Sequence, residues 1–171
     1  ARFMFVGAMN PCPCGYFGSK TKECLCSPGS LFRYQRKISG PIADRIDLWT
    51  HVGEIPHEEL DKKDNLSPTS KELREKVIAA RNIQEERFKK AKRNIFTNSE
   101  MNVRDLEIFV PLSPDVRTIL LDAAKKFRLS ARGYHRVIKI ARTIADLDAS
   151  INIKVSHITE AFQYRPKEQM F

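Results

Sequence analysis

All four cysteines of this chain, Cys12, Cys14, Cys24 and Cys26, fall within fifteen of its 171 residues, as two Cys-x-Cys pairs separated by nine residues. Gly15, Gly18 and Lys20 lie between the pairs, which suits a turn that folds one pair back on the other. Four thiolates gathered in this way can surround a tetrahedral Zn²⁺, and a segment so held depends on its ion for its shape. The usual zinc knuckle is Cys-x-x-Cys, so the spacing leaves two other states open, a reducible disulfide pair and free thiols. A reducing compartment disfavours the disulfides.

Before the cysteines stands a short apolar run, Phe3 to Met9, rich in Phe, Val and Met and closed by Asn10-Pro11. The pattern predicts a buried strand with Asn10 at its carboxyl end, the edge at which open α/β sheets bind ligands. An asparagine there holds a water or a phosphate oxygen without adding charge, although Asn-Pro is also a common turn starter. After the cysteines, Ser30 to Lys37 (SLFRYQRK) predicts a short helix with Ser30 as its cap and basic residues towards its end. Ser39-Gly40-Pro41 breaks that helix, Ile42 to Ile46 forms another turn that projects Arg45, and Asp47 to Ile55 (DLWTHVGEI) returns as a strand. An arginine so placed can neutralise charge that develops on a phosphoryl group across a subunit boundary, or it can pair with Asp44 or Asp47.

Residues 56–66 (PHEELDKKDNL) are polar and aperiodic, a linker. Beyond them the pattern is helical. Thr69 and Glu72 form a capping-box signature for a helix from Ser70 to about Lys92, with Leu73, Val77, Ala80, Ile83 or Ala79, and Phe88 on its apolar side. A short helix over Arg104 to Phe109 comes next. Ser113-Pro114-Asp115 opens another that reaches about Phe127 and buries Val116, Leu120 and Ala123 or Ala124. The next runs from Ser130 to about Leu147, and the last from Ser156, as cap, to Tyr164. In the Ser130 helix Val137, Ile140, Ala141, Ile144 and Leu147 make an apolar stripe, while Arg132, Arg136 and Lys139 recur on another face. Positive charge at the amino-terminal end of a helix opposes its dipole, which points to an anion as the reason for it.

The net charge of +9 is unevenly placed. Residues 1–66 carry 9 Lys and Arg against 8 Asp and Glu, whereas residues 67–171 carry 21 against 13, so a polyanion is expected to meet the second part. Solvated lysine-rich helix faces account for the same excess without any partner. No apolar run approaches the ~20 residues that span a bilayer and no signal-peptide pattern opens the chain, so the expected location is cytoplasmic with no membrane partner.

Three stretches, Phe5 to Gly15 (FVGAMNPCPCG), Ile38 to Asp47 (ISGPIADRID) and Leu129 to Leu147 (LSARGYHRVIKIARTIADL), resemble the carboxyl-terminal part of magnesium-chelatase-like AAA+ ATPases of the ComM/YifB type. They fall in the family's order and are spread through most of the chain. The resemblance implies an α/β fragment plus α: residues 1–57 as the end of an AAA+ P-loop core with a hairpin that carries the four cysteines, and residues 58–171 as a mostly helical lid bundle. It implies Asn10 as the sensor asparagine, Arg45 of Asp-Arg-Ile-Asp as the arginine finger acting in trans, and Arg132 as the lid's sensor arginine, with Arg136 one turn on as the fallback. The implied cofactor is ATP with Mg²⁺, and the implied assembly is a homo-oligomeric ring, a hexamer, that moves on DNA in branch migration and recombination of incoming DNA.

The sequence contains no Gly-x-x-x-x-Gly-Lys-Ser/Thr and no apolar strand ending in an acidic pair. The chain is therefore expected to be a fragment that does not turn over ATP alone. Two other functions stand beside the DNA motor: the ATPase subunit of a true magnesium chelatase, and a non-catalytic zinc-stabilised nucleic-acid-binding module.

Overall fold

A computed structural model describes residues 3–55, 67–89, 91 and 94–166, so the expected linker at 56–66 lies outside the described residues. These residues form two compact units, one of residues 3–46, 51–55 and 166, the other of residues 47–50, 67–89, 91 and 94–165.

In the first unit the expected strand at Phe3 to Met9 is not formed. Among the described residues there is no strand at all, so the α/β part of the expected fold is not borne out. A strand exists through its ladder of hydrogen bonds to a neighbour, and residues 3–9 have none. Their side chains are in solvent rather than in a core, Phe3 being 77% and Val6 85% exposed. Residues 47–55 are likewise irregular. The two helices of this unit are α1 (Pro28–Gln35) and α2 (Gly40–Ala43). Ser27, not Ser30, caps α1, its Oγ accepting the Ser30 N–H at 3.3 Å, with Pro28 at the first helical position. The expected break after the first helix is present, α1 ending at Gln35, and the turn that follows begins at Gly40-Pro41 rather than at Ile42. A proline in the first turn removes only an N–H that has no helical partner anyway.

The second unit is a helical bundle, as the sequence predicts. Its helices are α3 (Ser70–Phe88), α4 (Val103–Phe109), α5 (Pro114–Lys126), α6 (Ala131–Leu147) and α7 (Val155–Gln163), with a 3₁₀ turn at Asn98–Glu100. The Thr69–Glu72 capping box forms, Thr69 Oγ1 accepting the Glu72 N–H and a Glu72 oxygen accepting the Thr69 N–H at 2.7 Å. Ser130 caps α6 through the Gly133 N–H at 3.0 Å. At α7 the expected cap Ser156 is displaced: Lys154 holds the cap position, and His157 Nδ1, three residues on, accepts its N–H at 3.1 Å. No described helix is long and apolar enough to cross a membrane.

Helix α6 packs against α3, the 3₁₀ turn, α4 and α7, and α5 packs against α7. Val137, Ala141 and Ala145 of α6 are wholly buried with Leu120 of α5 and Ile158 and Ala161 of α7. On α3 only the carboxyl-terminal half joins this core. Ala80 and Phe88 are buried as expected, but Leu73 and Val77 are about half exposed, and the polar Gln84 is buried.

Candidate functional site

The four thiols converge. Cys12 Sγ lies 3.3 Å from Cys14 Sγ and 3.7 Å from Cys24 Sγ, Cys14 and Cys24 are 3.5 Å apart, and all four sulfurs lie within 4.8 Å of one another. A Zn–S bond of about 2.3 Å sets the sulfur–sulfur edge of a tetrahedral site at about 3.8 Å, so the donors are spaced as one ion requires. All four are free thiols, and the disulfide alternative is not what the structure shows. The expected hairpin is not confirmed: no strand is formed here, and the segment that carries the cysteines is a succession of turns and irregular backbone. The Gly15 N–H bonds the Cys12 carbonyl at 3.1 Å with Gly15 at φ +86°, a conformation that favours glycine. The Phe17 N–H points at Cys12 Sγ at 3.3 Å, and the Ser19 N–H at the Tyr16 carbonyl at 3.0 Å.

These contacts divide the thiols electrostatically. Burial pushes Cys12 up, but hydrogen bonds from Cys14, the Phe17 N–H and Cys24 outweigh it and hold Cys12 at about 6. At Cys24 a backbone hydrogen bond at Cys26 lowers the value, and burial together with the neighbouring thiols overrides it, leaving Cys24 at about 12. One thiol is thus ready to bind a cation while another keeps its proton. Apart from Cys12 and Ala43, no apolar side chain described in the first unit is buried. A unit with so small a core gains most from a metal staple, and the sulfur donor set fits zinc.

Asn10 and Arg45 belong to the first unit, Arg132 and Arg136 to the second. Asn10 is exposed, and its carbonyl accepts the Tyr34 hydroxyl at 3.1 Å. Arg45 follows α2 directly. Its guanidinium is exposed and donates to the Pro41 carbonyl at 2.8 Å rather than pairing with Asp47. Asp47 is taken by Arg136, Nε to Oδ1 at 2.6 Å, with the Arg136 side chain only 11% exposed. Arg132 lies in the first turn of α6 and is exposed. Of the two candidate arginines on α6, Arg132 is therefore presented to solvent and Arg136 is engaged within its unit.

Residues 67–165 match the family described as magnesium chelatase, subunit ChlI C-terminal, and residues 1–60 match magnesium chelatase, subunit ChlI. The competence protein ComM of Haemophilus influenzae is 38% identical over 165 residues, which are 96% of this chain and 31% of that protein. The chain belongs to the magnesium-chelatase-like family, in its ComM/YifB branch. The YifB proteins of Salmonella typhimurium and Escherichia coli are each 32% identical over 99% of this chelatase-like chain and 32% of their own length. The chain thus spans about a third of the length of these relatives.

The sequence of this chelatase-like chain contains no Gly-x-x-x-x-Gly-Lys-Ser/Thr.

Sequence reasoning missed a buried polar cluster in the chelatase-like bundle. Asp146, 1% exposed, accepts from Arg87 Nη1 at 2.9 Å, from Arg87 Nη2, from Arg142 Nε at 3.0 Å and from Asn98 Nδ2 at 2.7 Å. Arg142 Nη1 donates to the Ile151 carbonyl at 2.7 Å and Nη2 to the Ser150 carbonyl at 2.5 Å. Burial lowers the Arg142 pKa, opposed by the Asp146 charge. The cluster ties α3, the 3₁₀ turn, α6 and the turn after α6 to one carboxylate. Its sequence signal was Arg142 and Asp146 at i, i+4 inside the apolar stripe of α6, where a charged pair has to be buried.

Proposed function

We propose that this chain supplies the carboxyl-terminal part of an ATP-dependent AAA+ ring motor that acts on DNA. In this reading Arg45 acts in trans on the γ-phosphate of a neighbouring subunit, Arg132 is the sensor arginine of the helical lid, and Asn10 orients the attacking water. Arg136 is the fallback for Arg132, and its pairing with Asp47 favours Arg132. Zn²⁺ binds Cys12, Cys14, Cys24 and Cys26 as a structural ion that holds the turns beside Asn10 and takes no part in hydrolysis. The observation that carries the reading is the likeness to ComM over 96% of the chain. The positive excess of residues 67–171 supports DNA as the partner. Phosphoryl transfer is accelerated chiefly by placing positive charge where negative charge develops, and an exposed guanidinium at the end of a short helical turn suits that task. A soluble cytoplasmic hexamer is the assembly this mechanism calls for.

The test is an ATPase assay on the full-length protein that mixes Arg45→Ala subunits with subunits lacking the phosphate-loop lysine. Recovery of activity in the mixture establishes action across an interface. Full activity of Arg45→Ala alone refutes the role. A second reading, the motor subunit of a magnesium chelatase, is favoured by the description of the matching family. Co-purification with a porphyrin-binding subunit distinguishes it, and the cysteine cluster weighs against it.

A further inference from the structure

A cleft of about 420 Å³ opens in the first unit between α1 and the Cys12-Pro13-Cys14 turn, lined by Pro13, Ser30, Arg33, Tyr34 and Lys37. We infer that this cleft is a phosphate-ester site, in which Arg33, Lys37 and the Ser30 hydroxyl hold the backbone of a nucleic-acid strand. The inference rests on the reading of the parent protein as a DNA motor and adds to it a contact outside the ATPase machinery.

Ser30 and Arg33 stand at i, i+3 on one face of α1, and Lys37 follows two residues beyond the end of that helix. A hydroxyl donor and two cations thus line the same cleft. No lining residue is acidic, and residues 27–43 contain Arg33, Arg36 and Lys37 with no Asp or Glu. Among the described residues neither Arg33 nor Lys37 forms an ion pair. Positive charge near the carboxyl end of a helix complements its dipole, but that does not require two cations to converge on a cleft with Ser30. Arg36, the third cation, lies over Phe32 at 5.3 Å from the ring centre and does not line the cleft.

The walls are fixed. Tyr34 is tied through its hydroxyl to the Asn10 carbonyl at 3.1 Å and lies under Lys37 Nζ, 5.6 Å from the ring centre. Pro13 is flanked by Cys12 and Cys14, so the thiol cluster that positions those cysteines also sets the opposite wall. A guanidinium and an ammonium on preset walls are the donors that recognise phosphate oxygens. The cleft is open rather than enclosed, which suits a strand passing through it, although a nucleotide presents the same phosphate chemistry.

The test is anisotropy of a fluorescein-labelled oligothymidylate and, separately, of labelled ATP, with the zinc-loaded chain and its Arg33→Glu/Lys37→Glu variant. Both side chains are exposed, so the fold should survive, and circular dichroism checks that it does. Arg33→Gln/Lys37→Gln supplies a second variant without charge reversal. The expected result is oligothymidylate binding at least about tenfold weaker in the charge-reversal variant, with the salt slope reduced by about 1.4 for two lost single-strand contacts. Loss of ATP binding instead keeps the cleft as a phosphate site but makes a nucleotide its ligand. If the wild-type chain binds oligothymidylate and both variants bind it equally with an unchanged slope, the cleft is refuted while the DNA reading stands. If the wild-type chain binds neither probe at low salt, the cleft is refuted as well.

Discussion

Arg136 of α6 holds Asp47, the last residue of the Asp-Arg-Ile-Asp motif, through a 2.6 Å contact between Nε and Oδ1. The motif is thereby divided, with Asp47 in the helical unit and Arg45 in the other. The Asp47 carboxylate is 65% exposed, so its Coulomb attraction to Arg136 is screened by water. A double-mutant cycle of Asp47→Ala and Arg136→Ala, followed by urea unfolding, should give a coupling energy of about 0.5–1 kcal/mol. No coupling would mean that the pair does not anchor the motif.

Asp146 is expected to behave very differently. It is the only carboxylate in the described cluster facing Arg87 and Arg142, and it is buried with the Arg142 guanidinium. Removing one partner of a buried ion pair leaves an uncompensated charge, which costs roughly 3–5 kcal/mol. Asp146→Ala should therefore shift the urea midpoint far more than either substitution at the Arg136–Asp47 pair. A cost near 1 kcal/mol would show that water reaches the two arginines readily.

The contrast between these sites also explains what the sequence made legible. Thr69 with Glu72 and Ser130 before α6 are local signals, because a cap and its partner lie within one turn, and Pro114 marks the first turn of α5 although Ser113 makes no side-chain cap bond. The bundle's helices could be placed from such signals. The apolar run at 3–9 failed because strand formation depends on a partner that local sequence does not specify. Leu73 and Val77 failed for a related reason: helical spacing tells which side chains share a face, but not how far along α3 the core extends. The cysteine cluster was legible because thiols at such spacing have few other uses. The cleft lined by Ser30, Arg33 and Lys37 was not, since its other wall comes from Pro13.

Zinc binding by the first unit should strengthen as pH rises. Zinc takes thiolates, so every thiol that still holds a proton must release it on binding. Cys24, pushed up to about 12, holds its proton across the neutral range, whereas Cys12, held at about 6, has largely lost its own above that value. As pH falls through about 6, Cys12 also becomes protonated and one further proton must be displaced, so affinity should fall more steeply there. Competition with a chromophoric chelator from about pH 5 to about pH 8 measures the slope. A pH-independent affinity, or protein purified without chelator that contains well under one zinc per chain, would rule out thiolate coordination.

Gly133 offers a stabilising substitution beside Arg132. It is a buried position inside α6, and a Cβ added there would meet Arg165 Nη2 and Ser130 Oγ at 3.4 Å and Leu129 Cβ at 3.7 Å. Those are the outer edge of close packing rather than overlap, and the Arg165 guanidinium is the far end of a long side chain that can yield. Within a helix alanine is favoured over glycine by about 0.8–1 kcal/mol, because glycine loses more backbone freedom on folding. Gly133→Ala should therefore stabilise the bundle by a few tenths of a kcal/mol to about 1 kcal/mol, seen as a raised thermal midpoint. If the midpoint falls instead, Arg165 cannot move without losing contacts that the bundle needs, and the glycine is there for close approach. The Ser130 cap tests that cause independently: its Oγ accepts the Gly133 N–H at 3.0 Å, so Ser130→Ala should cost about 1 kcal/mol in either background unless the added methyl has already displaced the cap.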